Sequence, residues 1–157
     1  MLSETLLAKL AEWTAPRDGR QILIVPDEAA GWTVSLMVDR HDDLSCAVWE
    51  ITLQRTKPAS ADDSLEKWAK RAASRISGTP EALHVYEVDA QRNEALLRSA
   101  PARRKGAVHY YEVLLKGTKA ATVRRFKGSP GQGKRAQVAF VLTHEQLAKF
   151  TADLAAD

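Results

Sequence analysis

The chain has one cysteine among its 157 residues, Cys46, so no disulfide can form within it. A lone thiol fits a reducing compartment. Long hydrophobic runs are missing as well: no apolar stretch approaches the ~20 residues that a membrane span needs. The opening segment Met1-Leu-Ser-Glu-Thr-Leu-Leu lacks the basic start and apolar run of a secretory signal. These absences lead to the expectation of a soluble cytoplasmic protein with no membrane partner. Internal repeats and linkers are also missing, and a chain of this length buries roughly 70% of its unfolded surface as one unit. Residues 1–157 are therefore expected to form a single domain.

The net charge of +3 hides an asymmetry. Between Arg98 and Arg135 stand eleven Lys or Arg and one acid, Glu112, while the rest of the chain holds twelve basic and nineteen acidic groups. Such a split bears on electrostatic partners and says nothing about fold.

Hydrophobic periodicity sets the elements. Ser3 can cap a first helix reaching about Trp13, with Leu6, Leu10 and Trp13 on one face, broken by Ala15-Pro16-Arg17-Asp18-Gly19. Gln21 to Val25 reads as a short strand stopped by Pro26-Asp27. Trp32, Val34, Leu36 and Val38 alternate as the apolar face of the next strand. Arg40-His41-Asp42-Asp43 is turn chemistry, and Ala47, Trp49, Ile51 and Leu53 complete a hairpin.

Asp63 with Glu66 reads as a capping box for a helix that places Leu65, Trp68, Ala69, Ala72 and Ile76 on one stripe, closed by Gly78. After Pro80 the period falls to two, predicting strands over 83–88, 94–100, 107–115, 120–127 and 135–142. Their short separators force antiparallel neighbours, because a parallel crossover takes about a dozen residues. Thr143 and Gln146 cap a last helix whose Leu147, Phe150 and Leu154 face inward. The predicted fold class is α+β: a mainly antiparallel sheet, made of a hairpin and a five-strand meander, packed with three helices. Trp49, Ile51, Trp68, Val138, Phe140, Leu147 and Phe150 are the expected core.

Catalytic and metal signals are sparse. Gly128-Ser129-Pro130-Gly131-Gln132-Gly133-Lys134 matches GxxxxGK, but Arg135 replaces the magnesium-binding hydroxyl and a strand follows where a helix is required. The segment is read as a hairpin loop. The turn Asp39-Arg40-His41-Asp42-Asp43 lacks the ligand spacing and Gly of a calcium loop and is read as solvated. His41, His84, His109 and His144 show no spacing such as HExxH, so no metal is assigned. His144 is expected as a solvated neutral imidazole, and Cys46 as a buried structural thiol. Glu112 shares a strand face with Val108, Tyr110 and Leu114, which makes it the one carboxylate with a case for an unusual environment. No nucleophile–base pair can be assembled, so no catalytic residue and no cofactor is assigned, and a small enzyme with an unrecognised site is the rival class.

The basic block carries the functional signal. Alternate turns of a meander emerge at the same end of the sheet, so Arg103, Arg104 and Lys105 should meet Lys127, Lys134 and Arg135 as an anion- or partner-binding patch. Arg124 and Arg125 should point to opposite faces. Tyr110 and Tyr111 do too, which leaves the charges without the aromatic platform of a single-strand binder. Nucleic-acid or anion binding through residues 98–135 is therefore the alternative to a protein partner.

The order of elements, with Gly31-Trp32 opening a strand, Leu65 and Trp68 in a middle helix, and Phe140-Val141-Leu142-Thr143 leading to a helix with Phe150, resembles the PsbP/Mog-like α+β fold over roughly residues 20 to 156. That family collects photosystem extrinsic subunits, a Ran-binding protein and bacterial chaperones for secretion effectors. The resemblance implies a non-enzymatic protein-binding or assembly module that uses sheet or edge surfaces. It carries over no catalytic residues. The expected partner is another protein, an acidic one by charge.

Overall fold

The computed structural model describes residues 1–14, 19–76, 81–129, 131 and 133–156. Gly78 and Pro80, most of the 15–19 break, and Pro130 and Gln132 of the glycine-rich loop lie outside the described residues. The elements run α1 (Leu2–Glu12), β1 (Gln21–Asp27), β2 (Trp32–His41), β3 (Ser45–Arg55), α2 (Leu65–Arg75), β4 (Leu83–Asp89), β5 (Glu94–Ser99), β6 (Ala102–Arg104), β7 (Ala107–Lys116), β8 (Ala120–Gly128), β9 (Arg135–Val138), β10 (Phe140–Thr143) and α3 (His144–Ala155). Among the described residues the ten strands form one sheet: seven stand in the order β1-β2-β3-β8-β7-β5-β4, with β10 paired to β3, β6 to β7 and β9 to β8, and every pairing is antiparallel. This is the α+β class that the periodicity predicts. No helix among the described residues is long and apolar enough to cross a membrane.

The helices lie on one face, α2 against β4 and β5, α3 against β3 and β10, and α1 against α3. Alternating residues beneath them are fully buried: Val34 and Leu36 on β2, Ile51 and Leu53 on β3, Val123 on β8, Val113 on β7 and Leu97 on β5. The α2 stripe of Leu65, Trp68, Ala69, Ala72 and Ile76 is buried as its spacing requires. Val113 faces Val123 directly across antiparallel strands.

The β3–β8 junction is unusual. The two strands pair only over Ile51–Gln54 and Ala120–Val123, then separate. Into the opening goes the segment after the glycine-rich loop. Its first part, β9, pairs with β8, and after Ala139 its second part, β10, pairs with β3. The single strand expected over 135–142 is thus two strands with different partners.

Other expectations are corrected. Trp49 is half-buried, not core, because two offset irregularities in the β2–β3 ladder shift the phase: Cys46 and Val48 are buried on one side of Trp49-Glu50, Ile51 and Leu53 on the other. The Arg20 guanidinium lies 4.0 Å from the Trp49 ring centroid. Ala47 follows Trp49 off the core face, and Val138 is also half-buried. Strand β1 runs through Pro26 to Asp27, which an edge strand tolerates because the missing N–H faces no partner. β2 likewise extends through Arg40 to His41.

Helix starts also move by a residue or two. Ser64, not Asp63, caps α2 through its side chain, accepting from Lys67 N at 3.2 Å, while Asp63 forms a two-pronged pair with Arg71 at 2.8 and 3.0 Å. That hydrogen-bonded guanidinium holds the Asp63 carboxyl below its usual range. α1 begins after Met1, not Ser3, with Thr5 N donating to the Met1 carbonyl, and Trp13 lies just past its end.

β6 was not expected. A two-residue turn, Lys105-Gly106, with φ of +49° and +75°, folds it back on β7 in the manner of a hairpin that needs positive φ at both positions. The α3 capping box is as predicted: Gln146 N donates to Thr143 Oγ1 at 3.1 Å, and Thr143 N to Gln146 Oε1 at 2.9 Å. Thr143→Ala is expected to lower stability by about 1 kcal/mol in urea denaturation, and Thr143→Ser to restore most of it.

Candidate docking face

The face of the sheet opposite the helices carries a cluster built around Glu112. Strand register places Arg98 on β5 and Arg124 on β8 on either side of Glu112 on β7. Arg98 donates to Glu112 Oε2 from Nε at 2.9 Å and Nη2 at 2.6 Å. Arg135, the first residue of β9, reaches the same oxygen with Nη1 at 2.7 Å. Arg124 turns the other way, to Glu50 Oε2 at 2.9 Å. Glu112 is only 6% exposed, so this carboxylate is enclosed by its cations.

Aromatic rings hold the guanidinium groups flat. Arg98 lies 4.1 Å from the Tyr86 ring centroid and 4.9 Å from that of Tyr110. Arg135 lies 3.8 Å from Phe126 and donates to the Tyr110 hydroxyl at 3.3 Å. Burial opposes the Arg135 charge, but the bonds to Glu112 and Tyr110 outweigh it and raise its pKa. Charged groups stacked on rings and bonded at their edges are pre-organised and lose little entropy on meeting a ligand. Beside them is a depression of about 220 Å³, lined by Leu96, Glu112, Leu114, Arg124, Phe126 and Arg135.

The two basic turns do emerge at the same end of the sheet: Arg103, Val108, Gly128 and Arg135 stand in one row across β6, β7, β8 and β9. Alternation then divides the six candidates. Arg103 and Arg135 share the row of Val108, on the Glu112 face, but three strand spacings apart, about 14 Å. Arg104 and Lys127 belong to the opposite face with His109. Burial first, then the charges of Arg125, Lys127 and Arg104, push the His109 imidazole below its usual pKa. Lys105 occupies the β6–β7 turn, and Lys134 is exposed in the loop before β9. Arg125 stacks on Tyr111 at 4.2 Å on the helix-covered side, opposite to Arg124 as predicted.

No family model matches this chain, and neither does any curated protein or solved structure. Its reading therefore rests on its own geometry. Sequence reasoning missed Arg98, Arg124 and Tyr86 as members of this face and gave Tyr110 no part in an aromatic platform. The sequence-read turn over 101–106 would have set Arg98 opposite His109; the insertion of β6 on β7 moves the register so that Arg98 meets Glu112 instead.

A cavity of about 450 Å³ lies elsewhere, between the start of α1 and the end of α3. Its one carboxylate, Asp27, is held below its usual pKa by the Ala30 N–H at 3.0 Å and then by the Thr5 hydroxyl at 2.7 Å.

Proposed function

We propose that the chain is a non-enzymatic protein-binding module, of the assembly or chaperone kind that its PsbP/Mog-like resemblance implies, and that it takes an acidic protein segment on the uncovered face of its sheet. The observation that carries this reading is the Arg98–Glu112–Arg135 cluster stacked on Tyr86, Tyr110 and Phe126. Tyr, Phe and Arg are enriched at protein interfaces, and buried aromatic and Arg anchors carry most binding energy. Three guanidinium groups stand here against two carboxylates, Glu50 and Glu112, and Arg103 extends the positive character toward the adjoining turn. The same face presents Ile22 and Ile24 on β1, 59% and 62% exposed, which adds apolar area to a charged docking surface.

The test is affinity capture from the native host, identification of bound protein by mass spectrometry, and titration of the purified pair. The expected partner is acidic, its affinity falls as salt rises, and Arg124→Ala/Arg135→Ala weakens it at least tenfold, about 1.4 kcal/mol. Lys149→Ala, on α3, should leave it unchanged. Equal binding by the double variant overturns the docking face. Nucleic acid carried through purification and shifted at low salt, with log affinity falling linearly in log salt, overturns the protein partner.

A further inference from the structure

We propose that His41, Cys46 and His144 form a zinc site that clamps the β2–β3 turn to the start of α3. Three strands bring the residues together. His41 on β2 is the register partner of Cys46 on β3, and Cys46 is in turn the partner of Leu142 on β10, two residues before His144. The backbone N–H of His144 donates to the Leu44 carbonyl at 2.9 Å, fixing the first residue of α3 on the turn. The imidazoles then meet nitrogen to nitrogen, Nε2 to Nε2 at 3.1 Å, with their rings inclined by 17°. The ligand atoms of all three residues lie within 4.8 Å of one another.

These distances suit a metal. Zinc bound tetrahedrally at ~2.0–2.1 Å from nitrogen and ~2.3 Å from sulfur sets two nitrogens about 3.3 Å apart and nitrogen and sulfur about 3.6 Å apart. The histidine pair already stands near that spacing, and an adjustment of about 1 Å completes the set. Two imidazole nitrogens and a thiol form a borderline-to-soft donor set that favours zinc over magnesium or calcium. Without an ion, the 3.1 Å contact obliges one ring to carry its proton on Nε2 and the other to leave Nε2 bare.

The surroundings agree. Trp13 packs on His41, ring centroids 4.6 Å apart, covering one side. Burial, and then His144, lower the His41 pKa against the opposing charges of Asp42 and Asp43, so at neutral pH the ring is a neutral ligand. Cys46 is fully buried and its thiol is pushed up to about 12, so it ionises only when a cation replaces its proton. On binding, the Cys46 thiol proton passes to solvent, one per ion, and the Nε2 proton of the histidine pair moves to Nδ1 of its own ring with no net release. Solvent fills the fourth position from the adjoining cavity of about 380 Å³, where Arg40 and Asp42 also stand. Asp42 Oδ1 is committed to the Leu44 and Ser45 N–H groups, both at 2.8 Å.

The reading of His144 as a solvated imidazole is thereby corrected: it is half-buried and touches His41 although 103 positions apart.

The experiment uses the full chain, reduced, stripped with chelator and titrated with zinc, then with cobalt as a spectroscopic probe. Expected are one ion per chain, one proton released per ion, a thiolate-to-cobalt band, and a melting temperature raised by roughly 5–10 °C at a hundredfold excess over Kd. Cys46→Ser and His144→Ala should each abolish the band and the shift, while His84→Ala, on β4, keeps both. His144→Ala alters a half-buried residue in the first turn of α3, so it tests the site even if Cys46→Ser unfolds. A natively folded wild type with no cobalt–thiolate band and no thermal response to zinc overturns the proposal, as does binding unaltered in His144→Ala. Uptake of copper but not zinc overturns the choice of metal.

Discussion

Trp68→Ala is expected to lower stability by about 3–5 kcal/mol, a large share of the roughly 5–15 kcal/mol available to a domain. Trp68 is 0% exposed, and its ring lies 5.8 Å from that of Trp32. Its Nε1 donates to the Leu154 carbonyl at 2.8 Å, answering one of the unpaired carbonyls in the last turn of α3. Alanine removes the packing and leaves that buried carbonyl without its donor. Trp68→Phe separates the two effects: the ring persists, the donor does not, and the loss should be about 1–3 kcal/mol. Urea denaturation of both variants checks the pair. A loss under 1 kcal/mol for alanine would show that the core does not depend on this contact between α2 and α3.

Glu112→Ala is the second large effect. Removing a buried member of an ion pair strands its partners, at up to about 3–5 kcal/mol when all are buried. Arg98 and Arg135 are 29% and 43% exposed at their side chains, so solvent screens much of this and about 2 kcal/mol is expected. The residual term is repulsion between two guanidinium groups that shared one oxygen, so added salt should recover part of the loss in the variant more than in the parent. Glu112→Gln keeps an acceptor and should fall between the two. Changing Glu112 and Arg98 together to apolar residues should cost less than the sum of the single changes, since neither is then left unpaired. Denaturation at low and high salt measures all of these, and a salt-independent loss in Glu112→Ala would remove the electrostatic account.

What could be read in advance followed from local pattern. The α2 stripe, the alternation from Trp32 to Val38 and the Thr143–Gln146 box each depend on residues within a turn or two, and each is present. Misreadings arose where two local solutions were equally apolar. Around Trp49, Ala47 and Trp49 offer one alternation and Cys46 and Val48 the other, so only the ladder with β2 decides which is buried. The break at Ala139 left no turn signal, because Val138, Phe140 and Leu142 keep the period of two across it and no Gly, Pro, Asn or Asp stands between β9 and β10. His41, Cys46 and His144 form no motif because their meeting is created by β10 docking on β3. The Arg98–Glu112–Arg124 row was not legible from turn lengths, because the unpredicted β6 occupies the turn side of β7 and shifts its register against β5.

The split strand that straddles the β3–β8 opening has a consequence for the order of events in time. β1–β2–β3 and β4 through β8 can each form through short hairpins, which close within microseconds. Joining them by β3 against β8 closes a loop of about 65 residues, and seating β10 on β3 one of about 95. Loop length adds little to the free energy, but pairings this distant slow the search, so folding on the millisecond-to-second scale follows. Until β10 is in place, the Ser45–Val48 stretch of β3 lacks its second neighbour, with Cys46 and Val48 still to be covered. A half-finished chain therefore presents an apolar strand edge to others of its kind, and aggregation during synthesis or refolding should be governed by how quickly residues 140–143 arrive.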